Sequence, residues 1–169
     1  MQDDSASLLT WLPRLRRYAR ALVRNLDDAD DLVQDTLERA LSKTSYWRDV
    51  SDMRAWLFSI MHNLHVDCVR KPVLHTVAAD ETTQEIASLP TQDERLILMD
   101  LQTAIDQLPF EYKEVLLLVA LEDMSYSDVA KTLSIPLGTV MSRLSRGRER
   151  LRTLLEGQPA QPARLKVVK

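Results

Sequence analysis

Residues 125–151 read SYSDVAKTLSIPLGTVMSRLSRGRERL, and the reading of this stretch decides the fold. Ser125 stands as a helix cap with Asp128 three residues on, the spacing of a capping box. A short helix follows, Ser134-Ile135-Pro136 makes a turn, and Leu137–Leu155 supplies a longer helix. Short helix, tight turn and long helix are the helix-turn-helix plan. At about 100° per residue, Val140, Leu144, Gly147 and Leu151 share one face of the long helix, placed to pack on Val129, Ala130 and Leu133. The opposite face presents Thr139, Ser142, Ser145 and Arg146, with Arg143 and Arg150 flanking. Such a face suits a major groove: arginine donates two hydrogen bonds to guanine O6 and N7, and hydroxyls bond bases or phosphates. Arg148 and Arg152 lie nearer the helix sides, where they meet phosphates, which position without specifying. An arginine run alone reads as a solvated amphipathic helix. The capped short helix, the Ile-Pro turn and the matching apolar face turn the reading towards DNA.

Working back towards the N-terminus, helices run from about Asp93, break at Pro109 and continue through Glu111–Leu121. From Val73 to about Gln92 the periodicity fades and Pro90 interrupts, the signature of a linker. Residues 73–100 carry six acids (Asp80, Glu81, Glu85, Asp93, Glu94, Asp100) against Arg95 alone. Before it, apolar residues recur at steps of three or four in three further stretches. The first is Leu8, Leu12, Leu15, Ala19, Leu22 and Leu26, one helix with Pro13 in its first turn. The second is capped by Asp27-Asp28 and buries Leu32, Val33, Thr36, Leu37, Ala40 and Leu41. The third is capped by Ser51-Asp52 and carries the stripe Leu57, Ile60, Met61, Leu64 and Cys68, with Pro72 as its stop. The expected architecture is all-α: a helical domain over 8–72, a flexible acidic linker over 73–92, a helix-turn-helix domain over 93–156 and a flexible basic tail over 157–169. Each domain is small and expected to bury a modest core of its own.

Composition sets the outer bounds. The 169 residues are 45% hydrophobic, enough for a packed core. The first 137 residues hold no glycine, which disfavours phosphate-cradling loops and Gly-dependent hairpins. Cys68 is the single cysteine, so no internal disulfide forms. No segment approaches the roughly 20 apolar residues of a membrane span, and the acidic start Met1-Gln2-Asp3-Asp4 is unlike a signal peptide. A cytoplasmic location follows. The net charge of −3 hides a basic stripe, since residues 139–152 hold five arginines against Glu149.

The chain resembles the extracytoplasmic-function sigma factors. At the C-terminal end the match is Leu108-Pro109, Leu121-Glu122-Asp123-Met124-Ser125-Tyr126, Pro136-Leu137-Gly138-Thr139-Val140-Met141-Ser142-Arg143-Leu144, Arg146 and Arg148. These are similar to the family's fourth conserved region, which reads the −35 promoter element. At the N-terminal end the match is Asp30-Asp31-Leu32-Val33-Gln34-Asp35-Thr36, Arg54-Ala55-Trp56-Leu57-Phe58-Ser59-Ile60, Asn63, Asp67 and Arg70-Lys71, similar to the second conserved region. Two departures stand out: Gly147 replaces a common alanine, and His62 a common basic residue.

The resemblance implies roles for residues that periodicity leaves exposed. Asp31, Gln34, Asp35 and Glu38 would dock on the β′ coiled coil of core RNA polymerase, acids and an amide meeting basic groups. Trp56, Asn63, Asp67, Arg70 and Lys71 would take the −10 element, where single-strand capture needs polar groups for base edges and cations for phosphates. Thr139, Ser142, Arg143, Ser145, Arg146 and Arg148 would take the −35 element. The partners implied are core polymerase (β′ and β), promoter DNA and an anti-sigma factor, often membrane-anchored; no cofactor, metal or small-molecule substrate is implied. Trp56 and the acidic face of the second helix also read, more blandly, as core and solvated surface. His62, His65 and Cys68 follow H-x-x-H-x-x-C, but helical spacing spreads them around the axis and no fourth zinc ligand is near. An enzyme finds no nucleophile elbow, P-loop or supported carboxylate pair. A stand-alone helix-turn-helix regulator explains 125–151 and leaves 27–71 generic.

Overall fold

The computed structural model describes residues 8–43, 50–70 and 92–157, which form seven α-helices and no strand. The N-terminal half holds α1 (Leu12–Leu22), α2 (Leu26–Leu41) and α3 (Met53–Arg70). The C-terminal half holds α4 (Gln92–Asp106), α5 (Phe110–Ala120), α6 (Tyr126–Leu133) and α7 (Leu137–Glu156). The linker and tail of the sequence reading lie outside the described residues, save Gln92, which opens α4, and Gly157, which closes α7. Lys71 and Pro72 lie outside them too.

Local chemistry sets the helix ends. Pro13 sits in the first turn of α1, where no intrahelical donor is missed. The stripe read as one helix to Leu26 is divided: α1 ends at Leu22, Val23 is extended, and Leu26 already belongs to α2. The divider is Asn25, whose side chain accepts from the Asp27 amide at 2.8 Å. Asp27 and Asp28, expected as caps, stand instead in the first turn of α2, where carboxylates meet the positive end of the helix dipole. Asp52 does cap α3, accepting from the Ala55 amide at 3.1 Å. Ser125 caps α6 by accepting from the Asp128 amide at 3.1 Å, and its hydroxyl donates to the Asp128 carboxylate at 2.7 Å.

The buried faces largely follow the expected stripes. In α2, Leu32, Val33, Thr36 and Ala40 are buried and Leu37 partly so, but Leu41 is exposed. In α3, Leu57, Ile60 and Met61 are buried, Leu64 partly, and Cys68 is exposed. Residues 67–70 all face solvent, so the last turn of α3 runs past the packed body and its stripe ends a turn early. Phe58, absent from the stripe, is buried and meets Tyr18 edge to face at 5.0 Å.

Each half was expected to close its own core; the two share one. Leu15, Tyr18, Ala19, Leu57 and Met61 belong to the same apolar cluster as Val115, Leu118, Val129, Val140 and Leu144. Helix α1 packs on α5 and α3 packs on α6. Stacking the three helices of one half on the four of the other removes further apolar faces from water.

Gly147 is where α7 crosses α5. A Cβ there would stand 2.9 Å from Leu116 Cδ1 and 3.2 Å from Tyr112 Cβ. The leucine tip can turn away; the tyrosine Cβ is fixed to its backbone. Gly147→Ala gains about 1 kcal/mol of helix propensity and meets roughly 1–3 kcal/mol of overpacking. A net loss of about 1 kcal/mol is expected, seen as a fall of about 2–4 °C in Tm; a rise would show that Leu116 makes room freely. The buried Thr132 hydroxyl has no hydrogen-bond partner. Thr132→Val, equal in shape, should therefore raise stability by about 1 kcal/mol in denaturant titration.

Candidate nucleic-acid and protein interfaces

The recognition helix is aimed by its turn. Ser134 takes left-handed geometry (φ 54°, ψ 43°) and the Ile135 amide returns to the Ala130 carbonyl at 3.0 Å. Pro136 then starts α7, whose Val140, Leu144 and Gly147 are buried, with Leu151 half-buried. Ser142, Ser145, Arg146 and Arg148 are exposed; Thr139 and Arg143 are half-buried beside them. The Ser142 hydroxyl donates to the Thr139 carbonyl at 3.1 Å, which orients its oxygen as an acceptor. Arg146 also lines an open groove with Tyr112, Glu149, Arg150, Thr153 and Leu154. The sequence reading passed over Leu137 and Met141, both exposed near the start of α7. Apolar side chains there can meet thymine methyl groups; their exposure, invisible to periodicity, is the signal.

On α2, Asp31, Gln34, Asp35 and Glu38 are exposed along one face, with Gln34 donating to Glu38 at 3.0 Å. On α3, Asn63, Asp67 and Arg70 are exposed together and Trp56 is half-buried among apolar neighbours. Most residues of the three groups are exposed, Trp56, Thr139 and Arg143 are half-buried, and Lys71 lies outside the described residues.

The residues that sequence reasoning missed are the buried charges between the halves. Glu122 and Glu114 are buried, at 0% and 1% exposure, and Lys113 nearly so at 6%. Glu122 pairs with Arg14 at 2.9 Å and Arg17 at 3.0 Å. Glu114 pairs with His62 Nδ1. Lys113 donates to the Leu22 carbonyl and to Asp106, each at 3.5 Å, and burial lowers its pKa from the usual 10.5. The two buried carboxylates are felt at Tyr18, whose phenol rises well above 10.0, through burial first and then Glu114 and Glu122. His62, His65 and Cys68 do not converge: His62 meets Glu114, His65 lies against the Phe110 ring at 4.7 Å, and Cys68 faces solvent.

A helix-turn-helix with an outward arginine and serine face, seated on a second helical unit, defines a DNA-reading protein of two parts. Residues 8–62 match the family model described as the sigma2 domain of PhyR, and residues 98–151 match sigma-70 region 4. The chain is 37% identical over 156 residues to the ECF RNA polymerase sigma factor EcfG of Rhodopseudomonas palustris, covering 92% of this chain and 84% of that one. The sigma factor RpoE from Bartonella quintana, solved in complex with the anti-sigma factor NepR, superposes with a TM-score of 0.75 at 33% identity, covering 94% of this chain and 99% of that one. CnrH, solved with the cytosolic domain of CnrY, gives a TM-score of 0.69 at 26% identity over 94% and 91% of the two chains. The chain belongs to the extracytoplasmic-function family of RNA polymerase sigma factors.

His65 gives the junction a pH dependence. Burial, then the neighbouring His62 and Lys113, lower its pKa from 6.5. Between that lowered value and 6.5 the unfolded chain binds more protons than the folded one, so stability falls as pH drops through the window. Denaturant titrations between about pH 7.5 and about pH 5.5 should show this fall, with a smaller one in His65→Gln. Equal slopes would assign the fall to groups other than His65.

Proposed function

We propose that this sigma factor divides promoter recognition between its halves. Helix α7 reads the −35 element as duplex through Thr139, Ser142, Arg143, Ser145, Arg146 and Arg148. Helix α3 and the residue after it take the −10 element through Trp56, Asn63, Asp67, Arg70 and Lys71. The acidic face of α2, with Asp31, Gln34, Asp35 and Glu38, docks on the β′ coiled coil of core polymerase, and β is contacted as well. The chain acts as an initiation factor rather than an enzyme, in the cytoplasm. An anti-sigma factor holds it inactive, as the complexes of the two related structures suggest for this chain as well.

The observation that carries the reading is the outward face of α7. Ser142, Ser145 and Arg146 are exposed there and Arg148 is exposed at its side, while Val140, Leu144 and Gly147 fix the helix from behind. Arginines on a fixed helix can address guanine in the groove, and the Ser142 oxygen is set to accept from a base donor. Leu137 and Met141 extend the same reading to thymine methyls.

Run-off transcription from a promoter library, with core polymerase and with or without this chain, tests it. Specific transcripts are expected only when the chain is present. No initiation, together with tight duplex binding by the free chain, would point instead to a stand-alone regulator. Within the active system, Arg146→Ala should cost roughly 1–3 kcal/mol at one base position if Arg146 reads a base. A uniform loss across sequences would make it a phosphate contact.

A further inference from the structure

Three guanidinium groups of the N-terminal half close on one oxygen-rich point of the C-terminal half. Arg14 Nε and Arg17 Nη2 reach the two carboxylate oxygens of Glu122 at 2.9 and 3.0 Å. Arg54 Nη1 donates to the Glu122 carbonyl at 3.1 Å, and Arg17 also donates to the Leu121 carbonyl. Leu121 is the C-cap of α5, so these acceptors lie at the negative end of that helix dipole. The burial is one-sided. The Glu122 side chain is 0% exposed, while Arg14 and Arg17 keep 39% and 53%. Arg14 is held from its own half as well, its guanidinium 5.1 Å from the centre of the Trp11 ring. A plug from one half therefore enters a basic socket on the other. The pair of His62 and Glu114 ties the same two halves further along α3.

This closed form leaves Asn63, Arg70, Ser142 and Arg146 exposed, so either DNA-reading face is free to act alone. It cannot act with the other. The −10 and −35 elements lie about 25 base pairs apart, roughly 85 Å of duplex at 3.4 Å per step. A packed body of about 150 residues has a radius of gyration of only about 15 Å. The residues joining the halves, 71–91, reach about 70 Å when extended. Reading both elements thus requires the halves to part, and parting withdraws Glu122 from its socket.

We propose that Glu122 with Arg14, Arg17 and Arg54 is a latch that holds the two halves closed and sets how readily the free chain spans a whole promoter. This rests on the two-element reading above. Contacts to DNA or polymerase that only the parted halves can make supply the free energy of opening. Breaking the latch from either side has the same effect, because the latch acts through the ion pair rather than through either residue alone.

The test uses the full chain. A donor and an acceptor dye on Cys68 and on Glu156→Cys report the separation of the halves by energy transfer. Binding is read on two DNAs: a −35 duplex alone, and a promoter carrying both elements with the −10 region already unpaired. Glu122→Gln, and separately Arg14→Ala with Arg17→Ala, should lower energy transfer. Both should raise affinity for the two-element DNA about fivefold or more, the lower end for coupled sites, with the −35 duplex unchanged. Unchanged energy transfer in the arginine variant overturns the latch. So does opening without any gain on the two-element DNA. Weaker binding of the arginine variant to both DNAs would make the arginines direct DNA contacts, which also overturns it. If Glu122→Gln fails to fold, the half-exposed arginines still decide the matter. Failure of the wild type to bind either DNA, with energy transfer still falling in the variants, would strike the promoter reading and spare the closure itself.

Discussion

A carboxylate taken wholly out of water must bring cations with it, and the arrangement of this protein turns on that requirement at Glu122. With no exposure, and with both of its ion pairs among the described residues crossing to the other half, the side chain is held by Arg14 and Arg17 of α1. Loss of both arginines would leave an uncompensated buried charge, which costs far more than the pairing contributes. Register between the halves is therefore set by charge, while the apolar cluster beneath supplies most of the burial. Hydrophobic contact is non-directional; the ion pairs are what distinguish this docking from a slipped one.

The C-terminal half shows how a chain poor in glycine makes sharp turns. Asp123 and Ser134 both adopt positive φ, at 52° and 54°, with side chains present. Aspartate tolerates this region better than most residues, and each such position costs about 1 kcal/mol or more. In return, Asp123 carries the chain from α5 into the Ser125 cap, and Ser134 turns α6 onto α7. The glycine that is spent, Gly147, goes to close approach rather than to a turn.

The helix-turn-helix was legible because each of its signals is local: a cap, a turn and a face repeating at helical period. The acidic face of α2 and the exposed face of α3 were legible for the same reason, once their apolar stripes were drawn. Where the reading slipped, a short-range competitor had intervened. Asn25 outweighed an unbroken apolar period between Leu22 and Leu26 by accepting the Asp27 backbone N–H on its side-chain oxygen. Cys68 fitted the stripe of α3, yet that turn extends beyond anything able to cover it. The buried charges were beyond reach for another reason. Glu114 and Glu122 look like ordinary solvated residues beside an apolar run, and partners some 50 to 110 positions away make their burial tolerable; Lys113 has Asp106 seven positions back but also reaches the distant Leu22 carbonyl. Neither period nor spacing encodes such a partner.

Helix α5 has a consequence that reaches past any single conformation. It touches α1, α6 and α7, and its buried positions include Lys113, Glu114, Val115, Leu117 and Leu118. A side chain changed there must suit the recognition helix on one side and the first helix of the other half on another. Divergence in one half is consequently not independent of divergence in the other. Exchanging halves between relatives, a natural route to new promoter preferences, would bring together surfaces that had drifted under different companions. The eleven residues of α5 act as a shared ancestry between two parts that can otherwise vary separately.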